Sequence, residues 1–394
     1  MNKIKRVFLI VLDSFGIGNE PDAADFGDGV CNTLKSIESS EKFYTPNLEK
    51  LGLFNIDGTD WAKRKVANPA ASFARLQELS RGKDTTIGHW EIAGVISEKP
   101  LPTYPEGFPP EIISELENAF GKKIICNKPY SGTAVIHDYG QEHEKTGALI
   151  VYTSADSVLQ IAAHENYVPV EELYNYCRIA RKIMRGKNGV GRIIARPFVG
   201  SYPNYERSPR RHDFSLEPPS ETILDAMQKK NLATIGVGKI SDIFAGQGIS
   251  KSLGINENNS DGMRKTFEQM AENFEGLCFV NLVDFDMTFG HRRDVDGYAN
   301  AMTTFDLELG EFLSKMKSDD VLMITADHGC DPSAPGTDHT REYVPLLIYG
   351  QKIKSGVNLG TCPTFSVIAA TLAEIFSIDF KTKGESLYSQ IRRY

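Results

Sequence analysis

The 394-residue sequence predicts an α/β fold in which helices flank a central, mostly parallel sheet, with a second α/β domain inserted into the first. Three observations lead to this prediction. Short apolar runs without polar interruption recur near the start and in the second half of the chain, helical patterns separate the later runs, and two proline-rich stretches bound the middle. Strands of a parallel sheet covered on both faces are apolar along their whole length, as these runs are.

The first strand-like run, Val7–Leu12, follows a basic start and ends at Asp13. It is too short for the apolar region of a signal peptide, and no small-residue cleavage site follows it. The later strand-like runs and the helical patterns among them are Ala233–Val237, Gly262–Phe274, Leu277–Val283, Tyr298–Met316, Val321–Thr325 and Val344–Tyr349.

Two proline clusters predict the domain boundaries. One begins at Pro100 (PLPTYPEGFPP), and the other spans Ser201–Pro219. We therefore expect residues 1–100 and 219–394 to form a core domain and residues 101–218 an inserted cap domain. The helical and strand patterns within the cap are Glu111–Phe120, Ala148–Tyr152 and Val170–Met184.

The bulk properties exclude several classes of protein. The net charge of −8 makes a polyanion such as nucleic acid an unsuitable partner. No apolar stretch approaches about 20 residues, so we expect no membrane span. Six scattered cysteines without a CxxC motif predict reduced, mostly buried thiols in a cytoplasmic protein. A monomer is the default expectation, because no coiled-coil pattern is visible.

Asp and His residues follow the predicted strands of the core. In open α/β sheets, ligands bind beyond the carboxyl ends of the strands, so these side chains are expected to meet at one edge. Imidazole and carboxylate together suit Zn²⁺ or Mn²⁺. Taken singly, each Asp has the simpler interpretation of a helix N-cap. The candidate ligands are Asp13, Asp286, His291, Asp327, His328 and His339.

A second motif, RGKDTTIGHWE at Arg81–Glu91, contains the candidate nucleophile Thr85. A threonine hydroxyl is a weak nucleophile at neutral pH, and coordination to a divalent cation activates it. The simpler interpretation is a helix start with Asp84 or Thr85 as N-cap. Both interpretations hold together, because a helix N-terminus also favours a phosphate.

These motifs together resemble the alkaline phosphatase superfamily and, within it, the phosphopentomutase family. The matching segments are Asp13 after a strand, KDTTIGHWE from Lys83, DFDMTFGH from Asp284, ADHG from Ala326 and DHT from Asp338. The resemblance implies an alkaline-phosphatase-like core with a cap domain. It also implies two Mn²⁺ ions per chain. Asp286, His291 and His339 would hold one ion, and Asp13, Asp327 and His328 the other.

The activity that this resemblance implies is the interconversion of ribose 1-phosphate and ribose 5-phosphate, and of their 2-deoxy forms, in nucleoside salvage. The small sugar phosphates would be the partners. Thr85, rather than Thr86, would carry the phosphoryl group, and a pentose 1,5-bisphosphate would form as an intermediate. Glucose 1,6-bisphosphate, or the pentose bisphosphate, would act as activator by phosphorylating the threonine.

Substrate contacts are predicted from residue type. Ser154 and Asp156 follow a strand, where Asp156 is able to accept hydrogen bonds from sugar hydroxyls. Forked guanidinium donors suit a phosphate, which makes Arg196 and Arg207 candidates. The Arg210–Arg211 pair is a further option, and Lys239 on a glycine-flanked loop is another. For each arginine the alternative is a solvated surface charge.

Three other functions are considered. A cofactor-independent phosphoglycerate mutase has a similar core but a serine nucleophile and a longer chain. Another metal-dependent phosphomutase or phosphatase of the superfamily would transfer the phosphoryl group to a different acceptor or to water. A non-catalytic phosphate- or sugar-binding protein would be expected to lack the nucleophile or several ligands, all of which are present here.

Overall fold

The computed structural model describes residues 3–154 and 156–393. The chain divides after Lys99 and after Glu217 into two compact units. The larger unit combines the segment before Pro100 with the segment from Pro218 onward, and the smaller unit is the segment between them. Among the described residues, no helix is both long enough and apolar enough to cross a bilayer.

The strands are numbered in chain order across both units. They are β1 Arg6–Leu12, β2 Ser72–Leu76, β3 Ile124–Pro129, β4 Leu149–Thr153, β5 Val158–His164, β6 Arg192–Ser201, β7 Asn204–Arg207, β8 His212–Ser215, β9 Ala233–Val237, β10 Lys251–Ser252, β11 Gly276–Leu282, β12 Asp320–Thr325, β13 Val344–Tyr349 and β14 Asn358–Cys362.

The α-helices are numbered in the same way, and a π-helical turn at Phe285–Gly290 is named separately because it bears on the site. The helices are α1 Thr33–Glu38, α2 Pro46–Leu51, α3 Thr85–Ile92, α4 Pro110–Phe120, α5 Ala134–Thr146, α6 Val170–Ile183, α7 Ile223–Lys229, α8 Ile240–Ile243, α9 Asn259–Ala271, α10 Val295–Lys315, α11 Val367–Ile375 and α12 Tyr388–Ile391.

The larger unit contains an eight-stranded sheet with the order β10-β9-β11-β1-β12-β13-β2-β14. The strands from β10 to β12 are all parallel. β1 lies at the centre with every residue buried, and it pairs with β11 on one side and β12 on the other. The predicted mostly parallel α/β sheet is confirmed. Its three central strands end at the same edge, because Leu12 pairs with Leu282 and Val11 with Thr325.

The sheet departs from the prediction at β13. This run, Val344–Tyr349, was expected to resemble the parallel strands, but it pairs antiparallel with both β12 and β2. An antiparallel strand covered on both faces is as continuously apolar as a parallel one, so its composition does not indicate its direction. The strands β2 and β14 were not predicted, and β14 is largely exposed with few apolar residues.

Two predicted core helices begin earlier than their apolar patterns suggested. In α9, the Asn258 side chain accepts a hydrogen bond from the Asp261 amide, and in α10 Asp294 caps the Gly297 amide. The caps and most residues of the first turns are polar, so the apolar pattern marks only the later turns. The observed helices start three residues before the predicted ones.

The smaller unit has its own six-stranded sheet, ordered β3-β4-β5-β6-β7, with β8 also pairing with β6. Its helices α4, α5 and α6 include both helical patterns predicted for the cap. Two apolar clusters fill this unit. One lies around Leu116, Leu159 and Ile193, and the other around Ile150 and Phe198.

A buried ion pair ties the start of β1 to the start of β12. Arg6 Nε and Nη2 donate to Asp320 at 2.7 and 2.8 Å, and Arg6 Nη1 donates to the Met270 carbonyl at 2.9 Å. Both side chains are almost fully buried. Since a buried charge is stable only with its partner, this pair fixes the two strands that lead to the site.

We predict that Asp320→Ala lowers the free energy of unfolding by about 3–5 kcal/mol, because Arg6 is left buried and unpaired. The matched control is Glu275→Gln, which breaks the exposed pair between Lys3 and Glu275 (2.8 Å) and should cost about 0–1 kcal/mol. Urea unfolding followed by circular dichroism measures both. Equal losses in the two variants would contradict this account of Arg6.

Candidate metal centre

The carboxyl ends of β1 and β12 bring the first group of ligand-type side chains together. Asp13 follows β1 directly, while Asp327 and His328 lie just beyond β12. His328 Nε2 is 3.4 Å from Asp13 Oδ1 and 3.5 Å from Asp327 Oδ2. All three residues are buried. Three of the predicted ligands therefore share one small, dry space.

The second group is built on the segment after β11. The π-helical turn Phe285–Gly290 presents Asp286, and His291 follows at its end. His339 comes from the loop between β12 and β13. Asp286 lies 3.3 Å from each of the two imidazole Nε2 atoms, which are 3.1 Å apart.

The two groups form one cluster, which we call the acceptor cluster. The rings of His328 and His339 have centroids 4.1 Å apart. Donor atoms of Asp286, His328 and His339 also lie within 4.8 Å of one another, as do those of Asp13, Asp327 and His328. The members of the acceptor cluster are Asp13, Asp286, His291, Asp327, His328 and His339.

Hydrogen bonds fix which histidine nitrogen faces the cluster. His328 Nδ1 lies 3.0 Å from the Gly329 carbonyl, and His291 Nδ1 lies 2.6 Å from the Thr337 carbonyl. A carbonyl only accepts, so each Nδ1 carries the hydrogen and each Nε2 presents a lone pair. A metal-binding histidine is held in this way.

The two oxygens of the Asp13 carboxylate, and those of the Asp327 carboxylate, also differ in their hydrogen bonds. Asp13 Oδ2 accepts a hydrogen bond from Asn281 Nδ2 at 2.7 Å, and Asp327 Oδ1 accepts one from the Ser14 amide at 3.0 Å. Within the described residues, Asp13 Oδ1, Asp327 Oδ2 and Asp286 Oδ1 are buried and accept no hydrogen bond. Buried anionic oxygens without donors are costly, and a cation would satisfy them. The donor set therefore fits divalent metal ions.

The electrostatics of the cluster also favour positive charge. Burial raises the pKa of the Asp13 carboxyl, and the negative charge of Asp327 raises it further. Burial would lower the pKa of the His328 imidazole, but the carboxylates of Asp327 and Asp13 raise it well above its usual value. Protons are thus attracted to the place where a metal cation would bind.

Thr85 is the first residue of α3 and lies at the edge of the cluster. The Asp84 side chain caps this helix by accepting from the amides of Thr86 and Ile87, at 3.0 and 3.2 Å. Thr85 Oγ1 is 3.2 Å from His328 Nε2, which is within hydrogen-bond distance. The N-cap Asp84 and the candidate nucleophile Thr85 are therefore adjacent residues.

Gly88 allows α3 to approach this closely. A Cβ atom added at Gly88 would lie 2.1 Å from the carbonyl oxygen of Asp327 and 2.9 Å from the Cβ of Asp327. Contacts this short do not occur between real atoms, so any side chain would displace either α3 or the segment that carries Asp327.

The predicted substrate residues are placed as follows. Ser154 and Asp156 follow β4, and the Asp156 carboxylate is exposed and 3.5 Å from Arg192 Nη2. On β6, Arg196 Nε donates to Gln160 Oε1 at 3.0 Å. Arg207 ends β7, and these four candidates all belong to the smaller unit. The Arg210 guanidinium pairs with Glu165, Arg211 pairs with Asp213, and Lys239 precedes α8 in the larger unit.

Several residues of the site were not predicted. Asn281 and His89 contact the cluster carboxylates, and Lys83 pairs with Asp28 at 2.8 Å and Asp338 at 3.1 Å. Lys83 thereby holds the segment before α3 against the loop that carries His339. Sequence signals were present, since Lys83 and His89 lie in the motif RGKDTTIGHWE and Asn281 is the only polar residue in the apolar run LCFVNLV.

We predict that Gly88→Ala lowers turnover by at least about tenfold, because displacing the helix by a fraction of an ångström misplaces Thr85 against the cluster. The control is Gly29→Ala, at an exposed glycine outside the left-handed backbone region, where an added Cβ meets nothing within 4 Å. Steady-state kinetics of both purified variants provide the measurement. Wild-type turnover in the Gly88→Ala variant would show that the close approach is not required.

The chain is similar in sequence to known metalloenzymes. A family model described as the metalloenzyme superfamily matches residues 5–380. The phosphopentomutase of Lachnoclostridium phytofermentans is 60% identical over 388 residues, which cover 98% of this chain and 99% of that protein. The phosphopentomutase of Acetivibrio thermocellus is 54% identical over 390 residues, covering 98% and 100%.

Among solved structures, a phosphoglycerate mutase of Leishmania mexicana aligns with 98% of this chain and 97% of its own, at 12% identity and a TM-score of 0.49. The relatives at 54–60% identity span nearly the whole of both chains and confirm the predicted family resemblance. The chain therefore belongs to the phosphopentomutase family, within the metalloenzyme superfamily.

Proposed function

We propose that the chain interconverts the 1-phosphates and 5-phosphates of ribose and 2-deoxyribose by way of a phosphothreonine at Thr85. The observation that carries this proposal is the position of Thr85 Oγ1, 3.2 Å from a nitrogen of the acceptor cluster and on the first turn of α3. A hydroxyl at that place can exchange a phosphoryl group with a substrate bound at the cluster. The family membership supplies the pentose phosphate as substrate.

The acceptor cluster would hold two Mn²⁺ ions in two overlapping groups. Asp13, Asp327 and His328 form the group nearer Thr85, and Asp286, His291 and His339 form the other. Bound divalent ions supply positive charge that lowers the pKa of a coordinated hydroxyl and stabilises the charge on a transferring phosphoryl group. The uncompensated oxygens of Asp13, Asp286 and Asp327 support this assignment.

The proposed reaction has two balanced transfers. In the first, a pentose hydroxyl oxygen bonds to phosphorus as the Thr85 Oγ1–P bond breaks, and the hydroxyl proton ends on Thr85. The product is a pentose 1,5-bisphosphate. In the second, Thr85 Oγ1 takes the other phosphoryl group and gives its proton to the released sugar oxygen. Glucose 1,6-bisphosphate would phosphorylate Thr85 initially by the same exchange.

Residues of the smaller unit are proposed to contact a sugar phosphate. Arg207 and the buried Tyr152 hydroxyl converge on Gly132, where a Cβ would lie 2.5 Å from Arg207 Nη2 and 2.9 Å from the hydroxyl. Among the described residues that hydroxyl has no hydrogen-bond partner. Arg196 also faces Tyr152, and burial, with the other arginines, lowers its pKa. Such a concentration of donors suits an anion.

The roles of Ser154, Asp156 and Lys239 rest on residue type and position. The exposed carboxylate of Asp156 is available to accept hydrogen bonds from sugar hydroxyls, and the backbone amide of Asp156 donates to Ser154 Oγ at 3.4 Å. Lys239 is half-buried at the start of α8 and would offer a single positive charge.

We predict that Thr85→Ala abolishes turnover and that the protein no longer gains the mass of one phosphoryl group with glucose 1,6-bisphosphate. Thr86→Ala is the matched control, since it removes the hydroxyl of the neighbouring residue from the same helical turn. Intact-mass spectrometry and a coupled assay with ribose 5-phosphate follow both variants. A Thr85→Ala variant that retains turnover or phosphorylation would refute Thr85 as nucleophile, and loss of phosphorylation only in Thr86→Ala would assign Thr86.

A further inference from the structure

We propose that His89 and Asn281 are positioning residues for phosphoryl transfer, joined in a directed hydrogen-bond chain that holds Asp13 and the Thr85 turn in place. The inference rests on the proposed function and adds two residues to it. Neither touches the substrate in this proposal. They act through the ligands and the peptide of the nucleophile.

Both residues are completely buried beside the acceptor cluster. Asn281 lies on β11, and its Nδ2 donates to Asp13 Oδ2 at 2.7 Å. The same nitrogen lies 3.3 Å from His89 Nε2. On the far side of its ring, His89 Nδ1 lies 2.8 Å from the Thr85 carbonyl. The two side chains therefore connect a proposed metal ligand with the peptide of the proposed nucleophile.

The direction of every hydrogen bond in this chain is determined. As a proposed metal ligand Asp13 is a carboxylate and only accepts, so the amide nitrogen of Asn281 faces it, and the second hydrogen of that nitrogen points to His89. His89 Nε2 must then be the acceptor, and Nδ1 carries the hydrogen that the Thr85 carbonyl accepts. Reversing the Asn281 amide would place its carbonyl oxygen against the Asp13 carboxylate, where two acceptors would repel each other. The unpartnered Asn281 Oδ1 agrees with a side chain oriented for its donors.

His89 also reaches the second carboxylate. Its Nδ1 is 3.0 Å from Asp327 Oδ2, although its hydrogen is directed to the Thr85 carbonyl. The ring stacks on Phe279 with centroids 5.7 Å apart, which keeps it from turning. One imidazole is thus in contact with a ligand carboxylate and with the nucleophile's own backbone. Ligands and nucleophile need such support to stay within about 0.5 Å of the reactive geometry.

The test uses Asn281→Ala in the full chain with a matched control. The control is Asn47→Ala. Asn47 Nδ2 donates to the buried Asp306 carboxylate at 3.0 Å, so this substitution removes the same type of hydrogen bond, here between α2 and α10. Manganese per chain after dialysis, the fraction phosphorylated by glucose 1,6-bisphosphate, and kcat and KM for ribose 5-phosphate are measured below the melting temperature of each variant.

For Asn281→Ala we expect manganese affinity and kcat to fall by about 10–100-fold, the usual effect of removing a hydrogen bond to a metal ligand. KM for ribose 5-phosphate should change little, since Asn281 does not contact the substrate in this proposal. Asn47→Ala should lose thermal stability while it keeps the manganese content, phosphorylated fraction and kcat of the wild type.

Two substitutions of His89 separate its role as donor from packing. An asparagine amide nitrogen occupies the place of Nδ1, so His89→Asn retains a donor for the Thr85 carbonyl, whereas His89→Leu removes it. We expect the phosphorylated fraction to be higher in His89→Asn than in His89→Leu at equal thermal stability. Equal phosphorylation in both variants would refute the positioning role of His89.

The inference is also overturned if Asn281→Ala keeps wild-type manganese content and kcat, or if Asn47→Ala loses them equally. These outcomes differ from a failure of the proposed function. In that case the wild-type chain itself would bind no manganese or take up no phosphoryl group from glucose 1,6-bisphosphate.

Discussion

The structure depends on one electrostatic constraint, which is the burial of the three carboxylates of Asp13, Asp286 and Asp327 close to one another. Such acceptors repel strongly in a medium of low dielectric, and within the described residues three of the carboxylate oxygens have no donor. Positive charge must compensate them. The carboxylates of Asp327 and Asp13 raise the pKa of His328 well above its usual value despite burial, and divalent cations would compensate the same negative charge.

The fold meets this constraint by aligning strand ends and by bringing a helix into contact with them. β1, β11 and β12 end in register, which sets Asp13, Asp327 and His328 side by side. Gly88 then lets α3 press its first turn against the Asp327 backbone, so that Thr85 reaches the cluster. The same alignment places Asn281 between Asp13 and His89. Asp13, Asp327 and His328 therefore meet the proposed nucleophile and positioning residues at the edge that this parallel register creates.

Much of this site was predictable, because strand ends are visible as the end of an apolar run and parallel strands share an edge. Asp13 and Asp327 were placed in this way. The direction of β13 was not predictable, since burial on both faces gives the same composition in either direction. The roles of His89 and Asn281 depend on which side chains face each other across strands, and one sequence does not contain that information. Ser154, Asp156, Arg196, Arg207 and Lys239 remain predictions for the same reason.

The distinction between a mutase and a phosphatase lies in where a phosphoryl group on Thr85, the proposed nucleophile, would go. The most direct measurement labels the chain with ³²P from glucose 1,6-bisphosphate, and then compares loss of the label with and without ribose 5-phosphate. Our account predicts that the label passes to the pentose much faster than it appears as inorganic phosphate. Release to water at the same rate in both mixtures would contradict it.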